Sequence, residues 1–190
     1  MTTRKELIEK YNIYFKDKGF SEIQSFPLTP QVGSLRNPAV FTPAGVHPLI
    51  PYFAELVVPE NNKIINVQKS FRPGDIKEVG DSYHHSFFEQ IGNFSFGGIT
   101  KKEFVENILG FLAGPMKIPL ERLGVTIFSG NEYADRDYES IDACTSFGIK
   151  REKIAISQEG TPEVVEHISP EVSELSTVKE IVILVSLSLP

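Results

Sequence analysis

The sequence predicts an α+β fold, in which helices flank strands that pair mainly in the antiparallel sense. Two β-rich runs lie on either side of a loop that contains glycine and proline. Apolar residues recur at helical spacing in other segments, and helices and strands do not alternate in a regular β-α-β order. The 190 residues are 41% hydrophobic, which is enough for one domain with a sizeable core.

The first predicted helix covers residues 4–18. Thr2 or Thr3 supplies the side-chain oxygen of its N-cap, and Gly19 supplies the backbone conformation that commonly ends a helix. Apolar residues at helical spacing give this helix one core-directed face. The residues of that face are Leu7, Tyr11 and either Tyr14 or Phe15.

The next part of the chain is predicted to form two strands joined by a long loop. Residues 25–51 contain five prolines, which disfavours a regular helix, and Phe41–Gly45 is typical of a short strand that runs into a turn. The β-rich run Lys63–Ser70 and the aromatic-rich run His84–Phe96 predict the two strands, and the polar loop Arg72–Asp81 connects them. We expect an antiparallel pair, and loops longer than a tight hairpin are often functional.

The second half of the chain is predicted to contain two further helices and short strands. Thr100 and Glu103 form a capping box, in which the hydroxyl caps the amide of Glu103 and the carboxylate reaches back. The helix that follows is predicted to bury one face, formed by Phe104, Ile108 and Phe111 or Leu112. The remaining predicted elements are a strand at Val125–Phe128, a helix at Tyr138–Phe147 that ends at Gly148, a strand at Lys153–Ser157, one helical turn or more from Glu163, and a strand at Val178–Leu189.

Charge and residue usage argue against several functional classes. The net charge of -6 disfavours a nucleic-acid binder that works through bulk charge, since phosphate neutralisation needs Lys and Arg. The lone cysteine, Cys144, fits a reducing compartment and a buried core position. His84 and His85 point to opposite faces of a strand, so we predict no metal site. The N-terminus lacks an apolar signal segment and the run Ile181–Leu189 is too short for a membrane helix, which predicts a cytoplasmic protein without membrane contact.

One group of residues suggests a nucleotide site. Arg72 at a strand end can bind a phosphate through two parallel hydrogen bonds, with Lys77 on the same loop. Phe88 in the return strand can stack on a base, while Asp75 and Glu78 can bind a base amine, a hydroxyl or a metal-held water. On physical grounds alone the alternative stays open that the charges are solvated surface residues and the phenylalanine belongs to the core.

The segment Val67–Phe104, with the sequence VQKSFRPGDIKEVGDSYHHSFFEQIGNFSFGGITKKEF, resembles the second signature motif of the alanyl-tRNA synthetases. Its portion HHSFFEQIGNFSFG is highly specific to that family. Three further segments resemble the family in order and spacing: FTPAGVHPLIPYF at Phe41–Phe53, ERLGVTIFSG at Glu121–Gly130 and GIKREKIAI at Gly148–Ile156. The resemblance covers roughly residues 3–157.

This resemblance implies a class II synthetase fold, an antiparallel sheet flanked by helices, and the activity of that family. Alanyl-tRNA synthetases use ATP and Mg²⁺ to convert alanine to alanyl-adenylate, and then transfer alanine to tRNA(Ala). By the resemblance, Arg72 is the catalytic residue that contacts the α-phosphate, and Phe88 stacks on adenine. Asp75 and Glu78 match the acidic loop that helps to hold ATP, and Val46 lies where many members place Met beside the adenosine.

The sequence also departs from the family pattern. After about Gln158 the likeness fades, and we find neither the Trp-containing segment, nor the amino-acid-binding Asp, nor the third motif with its γ-phosphate Arg. We therefore predict an incomplete class II core at residues 1–157, as in a truncated form, and a divergent tail at residues 158–190. The chain is predicted to be inactive on its own.

Three functions stay open on the sequence alone. In the first, the chain is a fragment of an alanine–tRNA ligase, and a second polypeptide completes its site. In the second, the chain is a non-catalytic paralogue that binds ATP weakly or acts as an interaction module. The third alternative is another enzyme that uses the same core for adenylation. ATP binding, followed by alanine-dependent pyrophosphate exchange, separates these alternatives.

Overall fold

The fold is seen in a computed structural model that describes residues 3–29, 40–80, 84–132 and 135–157. Helices and short strands are mixed along the chain, and the predicted α+β class is confirmed. The elements are α1 (Arg4–Asp17), β1 (Ser21–Glu22), α2 (Ile50–Phe53), β2 (Lys63–Phe71), β3 (Phe87–Ser95), α3 (Lys101–Ala113), β4 (Val125–Phe128), α4 (Tyr138–Phe147) and β5 (Ile154–Ser157). The tail at residues 158–190, with its predicted helical turn and strand, lies outside the described residues.

The chain separates into two compact units. The first, which we call the sheet unit, consists of residues 15–98. The second, which we call the helical unit, consists of residues 1–14 together with residues 99 onward. Each unit has its own buried apolar residues, and the two are described separately below.

Helix α1 begins and ends as its sequence predicts. Glu6 N donates to Thr3 Oγ1 at 3.3 Å, and Thr3 N donates to a Glu6 carboxylate oxygen at 2.8 Å, which together form a capping box. At the other end Gly19 adopts φ 81°, Phe20 N donates to the Phe15 carbonyl at 3.0 Å, and these two phenylalanine rings pack edge to face. The fully buried residues of its predicted apolar face are Tyr11 and Phe15.

The sheet unit contains three strands in the order β1-β2-β3. β1 runs parallel to β2, whereas β2 and β3 pair antiparallel along the whole length of both strands. This pair confirms the predicted strand–loop–strand arrangement. The return strand begins at Phe87 and not at His84, because further pairing would involve Pro73, which has no amide hydrogen and begins a 3₁₀ helix at Pro73–Lys77.

The strand predicted at Phe41–Gly45 does not form. Isolated backbone hydrogen bonds hold this segment instead. Thr42 N donates to the Leu28 carbonyl at 2.8 Å, and the Thr42 carbonyl accepts from Phe71 N at 2.9 Å. The next residue is Pro43, which cannot donate a hydrogen bond and therefore stops the pairing.

A short helical stretch follows, although the prolines of residues 25–51 predict none. It consists of a 3₁₀ helix at His47–Leu49 and the single turn of α2. Pro48 and Pro51 both lie in a first turn, where the missing amide hydrogen would have no partner within the helix. The prediction is therefore wrong at the C-terminal end of residues 25–51. Proline is excluded from the interior of a helix but is tolerated in its first turn.

Helix α3 begins at the predicted cap, but its buried face differs from the predicted one. Thr100 Oγ1 accepts from Glu103 N at 3.1 Å, which is the first of the two predicted capping bonds. Phe104 and Ile108 are only half-buried. The fully buried apolar residues are Val105, Leu109 and Phe111. The difference arises because α3 packs on two sides, against α4 and, through the ring of Phe111, against Tyr11.

The helical unit also contains two parallel strands, β4 and β5, which α4 connects. This β-α-β unit departs from the mainly antiparallel pairing that we predict from the sequence. A helix between two strands returns the chain to the same end of the sheet, which makes the strands parallel. Cys144 on α4 is buried, as predicted, and burial together with the charge of Asp137 raises the pKa of its thiol to about 11.

Candidate functional site

The face of the β2–β3 pair that carries the predicted site residues is polar. Residues opposite each other in an antiparallel pair share a face of the sheet. This face contains three opposed pairs: Ser70 with Phe88, Gln68 with Gln90, and Asn66 with Gly92. The three β2 residues are at most 1% exposed. Buried polar side chains need hydrogen-bond partners, ordered water or a ligand, so this face differs chemically from an apolar core.

Arg72 and Phe88 lie together at the end of this face. The Arg72 Cζ atom lies 5.3 Å from the centre of the Phe88 ring, at the distance of a cation–π contact. Arg72 Nε donates to the Pro43 carbonyl at 3.0 Å, and the Arg72 backbone amide donates to the Ser86 carbonyl at 2.8 Å. The structure therefore brings together a guanidinium and an aromatic ring that the sequence places sixteen residues apart.

The segment that precedes Val46 is held against the same two strands. Phe71 N donates to the Thr42 carbonyl at 2.9 Å, and the Arg72 side chain donates to the Pro43 carbonyl. Gly45 N donates to Gln90 Oε1 at 2.7 Å. Val46 follows directly, at the start of the 3₁₀ helix, and is half-buried.

Two glycines lie beside the buried side chain of Asn66. A Cβ atom on Gly45 would lie 3.6 Å from Gln68 Cβ and 3.7 Å from Asn66 Oδ1, in ordinary van der Waals contact. A Cβ atom on Gly92 would lie 2.6 Å from the ring of Phe94 and 3.3 Å from Asn66 Oδ1. The Asn66 amide thus lies near both glycines, and neither its Nδ2 nor its Oδ1 makes a hydrogen bond within the described part of the chain.

The acidic residues of the predicted site follow Arg72 on the connecting loop. Asp75 lies within the 3₁₀ helix, is half-buried, and its amide donates to the Arg72 carbonyl at 3.2 Å. Glu78 lies just after that helix and is exposed. Its carboxylate contacts His84 Nε2 at 3.0 Å, which links two residues of the connection between β2 and β3.

Sequence reasoning missed the side-chain amides of this face. Gln68 and Gln90 hydrogen-bond to the backbone of loops that are distant in the chain, and Asn66 lies buried between them and the glycines. A signal was present, because every second residue of the β-rich run from Asn66 to Ser70 is polar. A strand with one apolar face and one polar but buried face gives this pattern.

Neither a metal site nor a membrane segment is found in the part of the chain that the structure describes. Across residues 3–29, 40–80, 84–132 and 135–157, no three His, Cys, Asp or Glu residues are grouped so that they could hold a metal ion. Within the same ranges, no helix combines the length and the apolar character that crossing a membrane requires.

Comparison with known proteins identifies the family. The model of the tRNA synthetases class II (A) matches residues 6–161, more than half of the chain. The alanine–tRNA ligase of Treponema denticola is 41% identical over 152 residues, which are 78% of this chain and 25% of that protein. The alanine–tRNA ligase of Borrelia hermsii is 38% identical, over 78% of this chain and 25% of that protein. The alanine–tRNA ligase of Rubrobacter xylanophilus is 39% identical, over 78% of this chain and 17% of that protein.

The matched region includes both the β2–β3 pair and the β4-α4-β5 unit. The chain spans about a quarter of the length of the first of these relatives. The fold, the match of the family model and the likeness to alanine–tRNA ligases agree, and the chain belongs to the class II tRNA synthetases.

Proposed function

We propose that the sheet unit binds ATP on the polar face of the β2–β3 pair, as part of the activation of alanine to alanyl-adenylate for transfer to tRNA(Ala). The observation that carries this proposal is the pairing of Arg72 with Phe88, whose guanidinium and ring are 5.3 Å apart. A phosphate group and a base need a cation and an aromatic face in this proximity. The likeness to alanine–tRNA ligases supports the choice of alanine and tRNA(Ala).

Stacking of adenine on Phe88 competes with the contact that Arg72 now makes with the same ring. An exposed cation–π contact contributes about 0.5–1 kcal/mol. A base–aromatic stack contributes about 1–3 kcal/mol, and the displaced guanidinium gains a charged phosphate partner. Binding of ATP is therefore expected to replace the weaker contact with two stronger ones.

In the proposed reaction, a carboxylate oxygen of alanine attacks the α-phosphorus in line, and pyrophosphate leaves. Negative charge on the α-phosphate oxygens is then stabilised by Arg72, whose N–H groups match phosphate geometry. Val46 is proposed to contact the adenosine, and Asp75 and Glu78 to help hold ATP on the connecting loop. The described residues do not form a Mg²⁺ site of their own. Mg²⁺ is often bound mainly by the phosphates of a substrate, and here it would enter the site together with ATP.

Calorimetric titration of the full chain with ATP tests the assignment. Arg72→Ala is expected to weaken binding by about 1.5–3 kcal/mol, because a charge-assisted hydrogen bond is lost. Phe88→Ala is expected to weaken it by about 1–3 kcal/mol through loss of the stack. Phe87→Ala is a matched control, since the neighbouring ring is 54% exposed and lies on the other face of β3. Unchanged affinity in both site variants would reject the site.

A further inference from the structure

Gln90 connects the two segments between which the proposed adenosine site lies. It follows Phe88 by two residues on β3, so both side chains belong to the same face of the sheet. Its Oε1 atom accepts from Gly45 N at 2.7 Å, which is at the short end for an N–H···O bond. Gly45 directly precedes Val46, the other residue proposed to contact the nucleoside.

The Gln90 hydrogen bond attaches this loop to a different strand from two of the other hydrogen bonds that hold it. The bonds from Phe71 N to Thr42 and from Arg72 Nε to Pro43 attach the loop to β2 and to the side chain that follows β2. The Gln90 bond attaches the loop to β3, the strand that carries Phe88. The distance between the loop and β3 is therefore sensitive to the side chain at position 90.

The packing around Gly45 leaves this amide dependent on Gln90. Gly45 is buried, and a Cβ atom there would lie within 3.7 Å of atoms of Gln90, Gln68 and Asn66. Leaving a buried amide hydrogen without an acceptor is costly, so loss of the Gln90 oxygen favours a shift of the backbone towards another acceptor. The next residue along the backbone is Val46, so such a movement alters the proposed nucleoside contact.

We infer that Gln90 is a positioning residue, which sets the spacing between Val46 and Phe88 and so the affinity for the adenosine part of ATP. It acts through the Gly45 amide and does not itself contact the nucleotide. The inference rests on the proposed ATP site. It assigns to a side-chain amide of β3 a role in nucleoside binding that is separate from the phosphate contact of Arg72.

The test compares full chains that keep or lose the acceptor at position 90. Gln90→Glu retains an oxygen at the same distance along the side chain, Gln90→Leu has a similar size and no acceptor, and Gln90→Asn has an acceptor that is one methylene too short. The probes are adenosine, which is neutral, and inorganic tripolyphosphate, each titrated by NMR at a temperature well below the unfolding midpoint of every variant. Phe88→Ala is titrated in parallel.

Gln90→Leu and Gln90→Asn are expected to weaken adenosine binding by up to about tenfold, as the loss of one partly buried hydrogen bond does. Gln90→Glu is expected to bind adenosine like the unmodified chain, and Gln90→Leu to bind tripolyphosphate like the unmodified chain. If Gln90→Leu does not fold, Gln90→Asn carries the comparison.

Two results would overturn the inference and leave the proposed ATP site intact. In the first, Phe88→Ala weakens adenosine binding but Gln90→Leu does not. In the second, Gln90→Leu weakens the binding of adenosine and of tripolyphosphate equally. An unmodified chain that does not bind adenosine, or one in which Phe88→Ala has no effect, would reject the proposed site and this inference with it.

Discussion

Two side-chain amides of the sheet unit position loops through hydrogen bonds to the backbone. Gln68 accepts from Phe26 N at 2.8 Å and donates to the Phe26 carbonyl at 3.0 Å, so one side chain satisfies both backbone groups of a distant residue. Among the residues that the structure describes, Gln90, whose side chain is exposed, accepts only from the amide of Gly45. Amides suit this role because each carries both a donor and an acceptor and no charge that burial would penalise.

Gly92 is expected to be required for the packing of the polar face. Gly92→Ala places a methyl group 2.6 Å from the ring of Phe94, and such overpacking costs about 1–3 kcal/mol. Alanine in a strand gains about 0.5–1 kcal/mol over glycine, so the clash is expected to dominate. Urea unfolding of the variant should show a lower free energy of unfolding.

Gly74→Ala is the matched control for this substitution, since a Cβ atom at Gly74 would meet nothing within 4 Å. Its free energy of unfolding is expected to equal that of the unmodified chain or to exceed it by up to about 1 kcal/mol. Equal stability of Gly92→Ala and the unmodified chain would show that the Phe94 ring moves aside without cost, and that the close approach is not a constraint.

At the residue scale, the sequence predicts the proximity of Arg72 and Phe88 better than the hydrogen bonds that hold the neighbouring loop. The Arg72–Phe88 proximity follows once the two strands pair, because both residues lie at the same end of the pair. The partner of Gln90 does not follow, because it depends on the path of a loop 45 residues earlier. Periodicity shows which face of a strand carries a polar residue, but not which backbone group that residue meets.

At the scale of elements, the N-termini of α3 and α4 are connected by an ion pair. Lys101, the first residue of α3, contacts Asp137, the N-cap of α4, at 2.9 Å. A lysine at a helix N-terminus opposes the helix dipole, whereas an aspartate at an N-cap is favourable. The carboxylate offsets the unfavourable position of Lys101 and also accepts hydrogen bonds from the amide and hydroxyl of Ser140.

The charge of Asp137 is expected to stabilise the helical unit in a pH-dependent way. Burial raises the pKa of this carboxyl, but hydrogen bonds from Ser140 and Lys101 and the charge of Lys101 outweigh burial and hold the pKa below its ordinary value of 3.8. A lowered pKa in the folded state means that the stabilisation is fully present above the unfolded pKa and is lost as pH falls through the folded pKa.

Asp137→Asn keeps an N-cap but removes the charge, and should lower the free energy of unfolding at pH 7 by about 1–2 kcal/mol. Urea unfolding at a series of pH values should show that the difference from the unmodified chain shrinks below about pH 4. Asp142→Asn, an exposed change on the same helix, is the control. A difference that is constant down to pH 3 would indicate that the cap geometry, and not the charge, is responsible.

The limits of elements could be predicted where a cap sets them, and less well where proline or packing does. The ends of α1 and α4 follow from Thr3, Gly19 and Gly148, whose conformations are local. The parallel pairing of β4 with β5 was missed, although a helix between two short strands is itself a signal for it. The buried face of α3 depends on two neighbours, which a single helical period cannot separate.

At the scale of the whole chain, the proposed site draws all its residues from the sheet unit. Val46, Arg72, Asp75, Glu78 and Phe88 all lie between residues 15 and 98. The sheet unit therefore contains the residues that we propose to contact adenine and the α-phosphate. The boundary that we predict between residues 157 and 158 stays a prediction, since the described residues end there.

We expect that the 190-residue chain alone does not charge tRNA with alanine. The reaction needs the amino group of alanine, the β- and γ-phosphates and the tRNA end held in line with the α-phosphate. We assign residues of this chain only to adenine, the adenosine and the α-phosphate. Phosphoryl chemistry of this kind draws most of its rate from positioning, so the loss of several contacts removes much more than a proportional share of activity. The net charge of -6 also provides no long-range attraction for tRNA.

The prediction is tested by measuring the rate at which the purified chain aminoacylates tRNA(Ala) and comparing it with the rate of the Arg72→Ala variant. Equal background rates in the two are expected, because a chain that cannot complete the in-line geometry gains nothing from the Arg72 contact. A rate above that of Arg72→Ala would contradict the prediction, since it would show that residues outside those assigned here supply the missing contacts. Activity that appears only after a second polypeptide is added, and that again depends on Arg72, would identify the chain as one part of a divided ligase. ATP binding without activity under either condition would favour the non-catalytic paralogue, because the nucleotide contacts would then exist without the positioning that catalysis requires.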